Sequence, residues 1–364
     1  MKSLLFTLEY PPFKGGVANY YQNLVQYWAE PGNIFVLDNN KNKLIKSWLW
    51  PKWLLAGWQL VKEIRQKKIN YIIVGQILPL GTVTYLVSRF IKVRYAVFFH
   101  GMDFNLAIKV RRKRWVTKKI LINSDKIICA NSYVAELVLN FLGGKYTKKV
   151  KIVNPGVESR ERIKNKEQKL KIKKEYNLEK KVILFSLGRL VKRKGFDMVI
   201  KALPEVLKVV PNLVYIIAGD GPDRAYLEQL AKVDNNKKLP VIFIGGVSDE
   251  DKWSWLGLCD IFIMPARQED HDFEGFGIVY LEANLAGKPV IAGNSGGVKD
   301  AVQDGANGLL VDGENEEEIT QAIIRLAEDK NLRQVLGEKG RKRAISEFSW
   351  EKQAKKMYNI IFNA

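Results

Sequence analysis

Two glutamates on either side of a glycine-rich turn are the residues of this sequence whose types and spacing point most directly to chemistry. Glu274 follows an apolar run closed by Met264 and Pro265, so it falls in a loop, and Glu282 falls in a helix predicted over Gly277–Ala286. The first N–H groups of that helix are free to bind a phosphate. One carboxylate can then reach a sugar while the other reaches a ribose. A single glutamate is more often a surface carboxylate, but two at this spacing favour a binding site.

A basic turn follows another apolar run, Val182–Leu187. Arg189 and Lys194 stand five positions apart there, and Gly195 comes next. A guanidinium offers two parallel N–H donors and an ammonium offers a point charge, so the pair could bind a diphosphate. A solvated basic turn is the alternative interpretation.

Glycines and one histidine follow other strand-like runs. Gly15 and Gly16 stand between the run Leu4–Leu8 and a helix predicted over Val17–Trp28, where backbone N–H groups could bind an anion. A tight turn without a ligand is equally compatible with this pair. His100 ends another apolar run, and it could be a structural residue or a site residue. The G-x-G-x-x-G and G-x-x-x-x-G-K-[ST] patterns are absent, which disfavours nicotinamide dehydrogenases and P-loop NTPases.

The apolar runs predict the elements that position these residues. Runs of this length that are rich in Val, Ile and Phe are typical of buried parallel strands, and the amphipathic stretches between them are typical of crossover helices. The predicted strands are Leu4–Leu8, Tyr71–Val74, Tyr95–Phe99, Lys126–Ala130, Lys151–Val153, Val182–Leu187, Leu213–Ala218, Val241–Ile244, Asp260–Met264, Pro289–Ala292 and Leu309–Val311.

The strands fall into two sets, separated by the lysine- and glutamate-rich stretch Ser159–Lys181, which we interpret as a linker leading into a helix. The sequence therefore predicts an α/β protein with two doubly wound, Rossmann-like parallel-sheet domains. We place the first domain over residues 1–160, the second over 175–345 and a final helix over 346–364. Ligands of such sheets bind beyond the carboxyl ends of the strands, which in two domains can face each other across a cleft.

The composition excludes several other classes of protein. The 364 residues are 47% hydrophobic, which excludes a mainly disordered chain. Two cysteines, Cys129 and Cys259, lie in apolar runs and are expected to be buried and reduced. With two histidines they leave no zinc cluster, and we expect no metal site. We find neither a signal peptide nor an apolar run near the ~20 residues of a membrane span.

The charge is concentrated in the first part of the chain. Residues 1–160 carry 26 basic and 8 acidic side chains, whereas residues 161–364 carry 33 and 31, so the net charges are +18 and +2. Two stretches there, Ile45–Lys68 and Val110–Ile122, mix Trp or Leu with Lys and Arg. Such a surface suits an anionic partner, and lipid headgroups and nucleic acid both qualify. A surface helix with ordinary core residues is the alternative interpretation.

Taken together, these segments resemble the retaining glycosyltransferases of family 4, which have the GT-B fold. The resemblance covers nearly the whole chain, and the block from Glu274 through Gly297 is similar to α-mannosyltransferases that modify phosphatidylinositol-type lipids. Residues 348–358 are similar to the family's C-terminal helix, which crosses back onto the first domain. The carriers are Gly15-Gly16, His100-Gly101, Asn131-Ser132, Asn154–Val157, Gly188-Arg189, Lys194-Gly195, Gly219–Pro222, Gly245, the Glu274 and Glu282 pair, Gly296-Gly297, and Gly305 with Gly308.

The resemblance implies a role for each candidate residue. Arg189 and Lys194 would stabilise the donor diphosphate, helped by backbone N–H groups near Gly15 and Gly16. Glu274 would bind the transferred sugar and Glu282 the nucleotide ribose. The remaining expected contacts are His100 at the sugar, Phe276, Gly277, Ile278 and Val279 at the helix start, and Gly245 with Val247 at the base. The basic residues would replace a metal ion, so the resemblance implies no cofactor.

The implied function is transfer of a hexosyl group from a nucleotide sugar to a membrane-associated lipid or lipid-linked acceptor. The first domain would bind the acceptor and face the membrane, and the second would bind the donor, either a GDP-sugar or a UDP-sugar. The similarity to mannolipid enzymes favours GDP-mannose. The expected location is the inner face of the cytoplasmic membrane, as a peripheral protein. The alternatives are a soluble glycan or metabolite acceptor, and a non-catalytic nucleic-acid-binding protein, for which no recognised module is present.

Overall fold

The computed structural model describes residues 1–158, 166–232, 238–270 and 272–362. The chain divides into two compact units. Unit 1 comprises Met1–Gly156 together with Trp350–Ala364, and unit 2 comprises Val157–Ser349. The C-terminal helix therefore belongs to the same unit as the N-terminal part of the chain.

Unit 1 is built on a six-stranded sheet. Its order is β2-β1-β3-β4-β5-β6, and every neighbouring pair is parallel. The strands are β1 (Ser3–Thr7), β2 (Ile34–Asp38), β3 (Tyr71–Val74), β4 (Arg94–Phe99), β5 (Lys126–Cys129) and β6 (Val150–Ile152). The helices are α1 (Gly16–Gln26), α2 (Leu54–Lys67), α3 (Thr82–Ser88), α4 (Met102–Ile108), α5 (Arg111–Asn123), α6 (Ser132–Leu142) and, after unit 2, α15 (Trp350–Phe362).

Unit 2 also has a six-stranded parallel sheet, in the order β12-β11-β10-β7-β8-β9. The strands are β7 (Val182–Leu187), β8 (Leu213–Ala218), β9 (Val241–Gly245), β10 (Ile261–Met264), β11 (Val290–Gly293) and β12 (Gly308–Val311). The helices are α7 (Lys166–Glu175), α8 (Phe196–Val209), α9 (Arg224–Leu230), α10 (Asp249–Leu258), α11 (Ile278–Leu285), α12 (Val298–Ala301), α13 (Glu316–Glu328) and α14 (Lys330–Phe348).

The unit 2 sheet is buried on both faces. Phe185 of β7 belongs to one hydrophobic cluster and its neighbour Leu184 to a second. Successive side chains of a strand point to opposite faces, so a strand covered by helices on both sides is apolar at every position. This is why the apolar runs predict the strands well, and the expected α/β architecture of two doubly wound domains is confirmed.

The differences from the predicted elements are local. Strand β2 was not predicted, although it pairs with β1; it lies at the sheet edge, and its residues are mostly half-exposed. Helix α7 lies inside the stretch interpreted as a linker, whose residues 159–165 lie outside the described part of the chain. Both cysteines are buried and free, as expected. Among the described residues, none of the helices is long and apolar enough to cross a bilayer.

Candidate active site

The strand order of unit 2 identifies the place where a ligand would bind. From β7 the chain continues to β8 on one side, whereas β10 pairs with β7 on the other side. After β7 and β10 the chain therefore continues towards opposite edges of the sheet. Open α/β sheets bind ligands at this switch point, beyond the carboxyl ends of the two strands. The first of these loops carries Arg189 and Lys194, and the second carries Glu274.

Glu274 is the centre of a compact ionic cluster in unit 2. Its Oε2 atom lies 2.5 Å from Nζ of Lys194 and 2.7 Å from a terminal guanidinium nitrogen of Arg193. Burial raises the pKa of this carboxyl, but the charges and hydrogen bonds of Lys194 and Arg193 outweigh burial and hold the pKa below its usual range. Glu274 is therefore ionised at neutral pH.

Arg193 is the member of this cluster that the sequence reasoning missed. Its Nε atom also lies 3.0 Å from Oδ2 of Asp272, so one guanidinium joins two carboxylates. The sequence offers three consecutive cations, Lys192–Lys194, on a single 3-10 turn, and the turn decides which of them point towards Glu274. We call Glu274, Lys194, Arg193 and Asp272 the Glu274 cluster. His271, the residue before Asp272, lies outside the described residues.

A second set of ion pairs holds the two loops together. Arg267 is buried and makes two parallel hydrogen bonds to Asp197 at the start of α8, at 3.0 and 3.1 Å. Its backbone N–H donates to the carbonyl oxygen of Arg193 at 2.8 Å. Glu269 accepts hydrogen bonds from both Arg267 and Lys192. The loop after β10 is thus fixed against the loop that carries Lys194.

Arg189 is not part of the Glu274 cluster. Its side chain is exposed, and it forms no hydrogen bond or ion pair with any described residue. The structure thus leaves one predicted cation, Lys194, neutralised by Glu274 and the other, Arg189, in solvent. That Lys194 and Arg189 bind one diphosphate together remains a prediction.

The turn before α11 depends on a glycine. Gly277 has φ of 73°, a left-handed conformation that side chains rarely adopt, and a Cβ there would lie 2.3 Å from the Tyr280 ring. Phe276 and Val279 are buried, whereas Ile278 is 39% exposed. The first N–H groups of α11 have no intrahelical acceptor, and the N-cap residue Gly277 has no side chain that could cap them. The predicted phosphate contacts near Gly277 are compatible with this geometry.

Glu282 lies in a different ionic pair from Glu274. Nζ of Lys252 is 2.7 Å from Oε1 of Glu282 and 3.0 Å from Oδ1 of Asp249. The predicted base-binding residues stand at the end of β9, where Gly245 has φ of 71° and Val247 is half-buried. Glu274 and Glu282 therefore have different cationic partners, which is compatible with the two different ligand contacts that were predicted for them.

The predicted residues of unit 1 also lie at strand ends. Strand β1 lies between β2 on one side and β3 on the other, so the order of the strands in the sheet changes direction at β1. Gly15 and Gly16 follow that strand. Helix α1 begins at Gly16, its N-cap residue Gly15 has no side chain that could cap it, and a Cβ on Gly16 would meet nothing within 4 Å. A ligand could approach this backbone closely.

His100 follows β4 and is held neutral. Burial lowers the pKa of its imidazole from 6.5 to about 3. The Asp103 carboxylate accepts hydrogen bonds from the backbone N–H groups of His100 and Gly101, at 3.2 and 2.8 Å, so it fixes the loop and leaves the imidazole unbound. A neutral imidazole can donate or accept a hydrogen bond at a sugar hydroxyl.

No group of three or more His, Cys, Asp or Glu side chains within the described ranges is arranged to hold a metal ion. The expectation that basic residues replace a metal remains a prediction.

Comparison with known proteins agrees with this architecture. Residues 167–343 match the family model of glycosyl transferases group 1. A GDP-mannose-dependent alpha-(1-6)-phosphatidylinositol monomannoside mannosyltransferase of Mycolicibacterium smegmatis is 27% identical, over 98% of this chain and 97% of its own. A GDP-mannose-dependent monoacylated alpha-(1-6)-phosphatidylinositol monomannoside mannosyltransferase of Corynebacterium glutamicum is 28% identical, over 99% and 97%.

A solved structure, Anabaena Alr3699/HepE in complex with UDP, superimposes with a TM-score of 0.79 at 17% identity and covers 100% of both chains. This likeness concerns the fold. With two six-stranded Rossmann-like sheets and a matching family segment over most of unit 2, the chain belongs to the group 1 glycosyltransferases, of family 4 type, and has the GT-B fold.

Proposed function

We propose that this glycosyltransferase transfers a mannosyl group from GDP-mannose to a phosphatidylinositol-type lipid at the membrane, with retention of the anomeric configuration. The observation that carries the proposal is the Glu274 cluster, an ionised carboxylate bound by two cations at the switch point of the unit 2 sheet. The names of the two mannosyltransferase relatives support the donor and the acceptor class.

The proposed chemistry uses charge rather than a protein nucleophile. The bond between the anomeric carbon and the diphosphate oxygen breaks, and its electron pair stays with the diphosphate. Lys194 and Arg189 stabilise that negative charge. The acceptor hydroxyl attacks the same face of the sugar, and its proton passes to the leaving phosphate oxygen. Glu274 and His100 bind sugar hydroxyls, and Glu282 binds the ribose.

The surface of unit 1 supports a membrane-associated acceptor. Helix α2 packs against α3, α3 against α5, and α5 against α4, so the four helices are neighbours. They and their flanking loops expose large apolar side chains, which we call the Trp-rich band: Trp48, Trp50, Leu54, Trp58, Leu86, Phe90, Met102, Leu106, Val110 and Trp115. Trp50 and Phe90 are each 89% exposed. Exposed apolar patches of this kind mark interaction sites, and tryptophan favours the lipid interface.

The same helices carry unpaired positive charge. The six basic residues of α5, Arg111–Arg114 with Lys118 and Lys119, form no ion pair with any described residue. Each basic residue near an anionic leaflet contributes about 1 kcal/mol. We therefore propose peripheral attachment to the inner face of the cytoplasmic membrane, where an anionic leaflet would attract these residues and would present the proposed lipid acceptor.

Thermal unfolding with a panel of nucleotides tests the donor. A donor at 100 times its Kd should add about 2.7 kcal/mol to the free energy of unfolding. We expect the melting temperature to rise with GDP and GDP-mannose and to stay within 1 °C, roughly the size of a 0.4–0.8 kcal/mol effect for a unit or chain of this length, with ADP. A rise with UDP-sugars alone would exclude GDP-mannose, and no rise with any nucleotide would contradict donor binding.

Vesicle sedimentation tests the acceptor side. Replacing Arg111, Arg112 and Lys113 by Gln should weaken binding to vesicles that contain anionic lipid. Replacing Lys339, Arg341 and Lys342 of α14, which are exposed basic residues of unit 2, removes the same charge and should leave binding unchanged. Absence of binding by all three proteins would favour a soluble glycan or metabolite acceptor, whereas equal binding by all three would mean that the basic residues of α5 do not form the lipid-binding surface. Salt-sensitive binding to RNA or DNA without donor binding would favour the nucleic-acid alternative.

A further inference from the structure

Three aromatic rings pack around the imidazole of His100. Its ring centroid lies 4.5 Å from that of Phe98, 5.0 Å from Tyr21 and 5.1 Å from Tyr20. Its Nε2 atom is buried and has no hydrogen-bond partner among the described residues. Since Asp103 binds only backbone N–H groups here, no described side chain fixes the imidazole by a hydrogen bond. Its orientation therefore depends on how the surrounding rings are packed.

One of these rings is packed against the C-terminal helix. Tyr20 of α1 meets Trp350, the first residue of α15, edge to face with centroids 5.1 Å apart. Both side chains are buried, and the Tyr20 hydroxyl donates to the carbonyl oxygen of Val153 at 3.3 Å. Close packing of this kind transmits a displacement from one ring to the next. A shift of Trp350 should therefore reach His100 through Tyr20.

The place of Trp350 is in turn set by a glycine. A Cβ on Gly156 would lie 2.6 Å from Cδ2 of Trp350 and 2.9 Å from its Cα, distances that real Cβ atoms do not show. Gly156 belongs to the Asn154–Val157 segment, one of the segments that carry the family resemblance, and it has no role in the proposed chemistry. The absence of a side chain at this position lets α15 begin where it does.

We infer that Gly156, Trp350 and Tyr20 are positioning residues for His100, so that the C-terminal helix sets the orientation of an imidazole in the active site. The inference rests on the proposed function for one point only, the contact between His100 and the sugar. Gly156, Trp350, Tyr20 and His100 all belong to unit 1, and the contacts between these residues within that unit support the other steps of the inference.

The histidine content of the chain makes the orientation measurable. The sequence has two histidines, so a protein labelled with 13C and 15N at histidine gives two sets of imidazole resonances, and His271→Gln assigns them. Trp350→Met removes the ring but keeps a large apolar side chain. We expect it to shift the His100 resonances, whereas Trp350→Phe, which keeps a ring against Tyr20, should largely restore them. Gly156→Ala should act like Trp350→Met by a different route.

Met357→Ala is the matched control, because Met357 is a fully buried residue of the same helix and the same hydrophobic cluster but is not a member of the ring-to-ring series from Trp350 through Tyr20 to His100. It should destabilise unit 1 and leave the His100 resonances in place. In transfer assays, Trp350→Met and Gly156→Ala should lower kcat by about tenfold, as a small misplacement of a catalytic group does, with the donor KM changed by less than about twofold. Met357→Ala should keep the kcat of the folded protein.

The inference is overturned if Trp350→Met and Gly156→Ala leave the His100 resonances unchanged, or if Met357→Ala shifts them equally. Failure of the proposed function gives a different result: the wild-type protein transfers no sugar, or His100→Ala transfers it at the wild-type rate. In either of those cases the resonances still show whether the C-terminal helix orients the imidazole.

Discussion

Nζ of Lys194 lies 2.5 Å from Oε2 of Glu274, and this ion pair joins the loops that follow two adjacent parallel strands, β7 and β10. The pair is largely buried, so removing the Glu274 charge leaves Lys194 without this counter-ion, whereas removing Lys194 leaves Arg193 to compensate Glu274. The donor site that we propose is built around it.

Glu274→Gln keeps the shape of the side chain and removes its charge. We expect kcat/KM for sugar transfer to fall by about 100-fold, because a buried charged hydrogen-bond acceptor is lost from the site. Glu269→Gln makes the same change in the same loop, on a residue that pairs with Lys192 and Arg267 instead. It should cost much less activity. Equal losses of kcat/KM in the two variants would show that activity depends on the conformation of the loop rather than on the Glu274 carboxylate.

Arg193→Ala should reduce kcat/KM by about tenfold, because the guanidinium binds two carboxylates and its removal leaves the negative charge of both less well compensated. Lys192→Ala is the neighbouring control: the Lys192 ammonium is mostly exposed, and among the described residues it forms an ion pair only with Glu269. Exposed pairs contribute little, so its activity should stay within about twofold of wild type. Steady-state kinetics with varied donor concentration measures kcat/KM for both variants. Equal values would show that Arg193 does not contribute to the active site.

The sequence predicts most of the fold because the strands are buried on both faces and are therefore continuously apolar. It does not predict β2, an edge strand whose residues are only partly covered. It identifies Lys194 and Glu274 by their types and positions after strands. It cannot show that Arg193 turns towards Glu274 while Arg189 points to solvent, because the conformation of the turn between them decides that.

Gly277→Ala tests the turn that precedes α11. The left-handed φ of 73° and the 2.3 Å approach to Tyr280 should cost about 1–3 kcal/mol of the free energy of unfolding. Gly57→Ala, inside α2, meets only Val83 at 3.8 Å. It should stabilise the protein by about 0.5–1 kcal/mol. Denaturant unfolding measures both, and a neutral Gly277→Ala would mean that the turn does not require this backbone conformation.

The pH dependence of stability tests the environment of His100. The folded state lowers the pKa of the imidazole from 6.5 to about 3, so folding excludes a proton that the unfolded chain binds. The stability that comes from the neutral ring is complete above pH 6.5 and is lost as the pH falls towards 3. Between pH 6 and 4 the wild type should therefore lose up to about 1.4 kcal/mol per pH unit more than His100→Asn.

Asp103 titrates in the same region, because burial raises its pKa to about 6, but it is present in both proteins and largely cancels in the comparison. The two stability curves should run parallel above pH 7. If they also run parallel from pH 6 to 4, the imidazole is not held neutral in the folded state.

The most direct test of the central claim is transfer from radiolabelled GDP-mannose to vesicles that contain phosphatidylinositol and its monomannoside, with the anomeric configuration of the product determined. The account predicts a labelled lipid with an α-linked mannose for the wild type and almost none for Lys194→Ala. A β-linked product, label transferred equally well by Lys194→Ala, or transfer from UDP-sugars alone would contradict it.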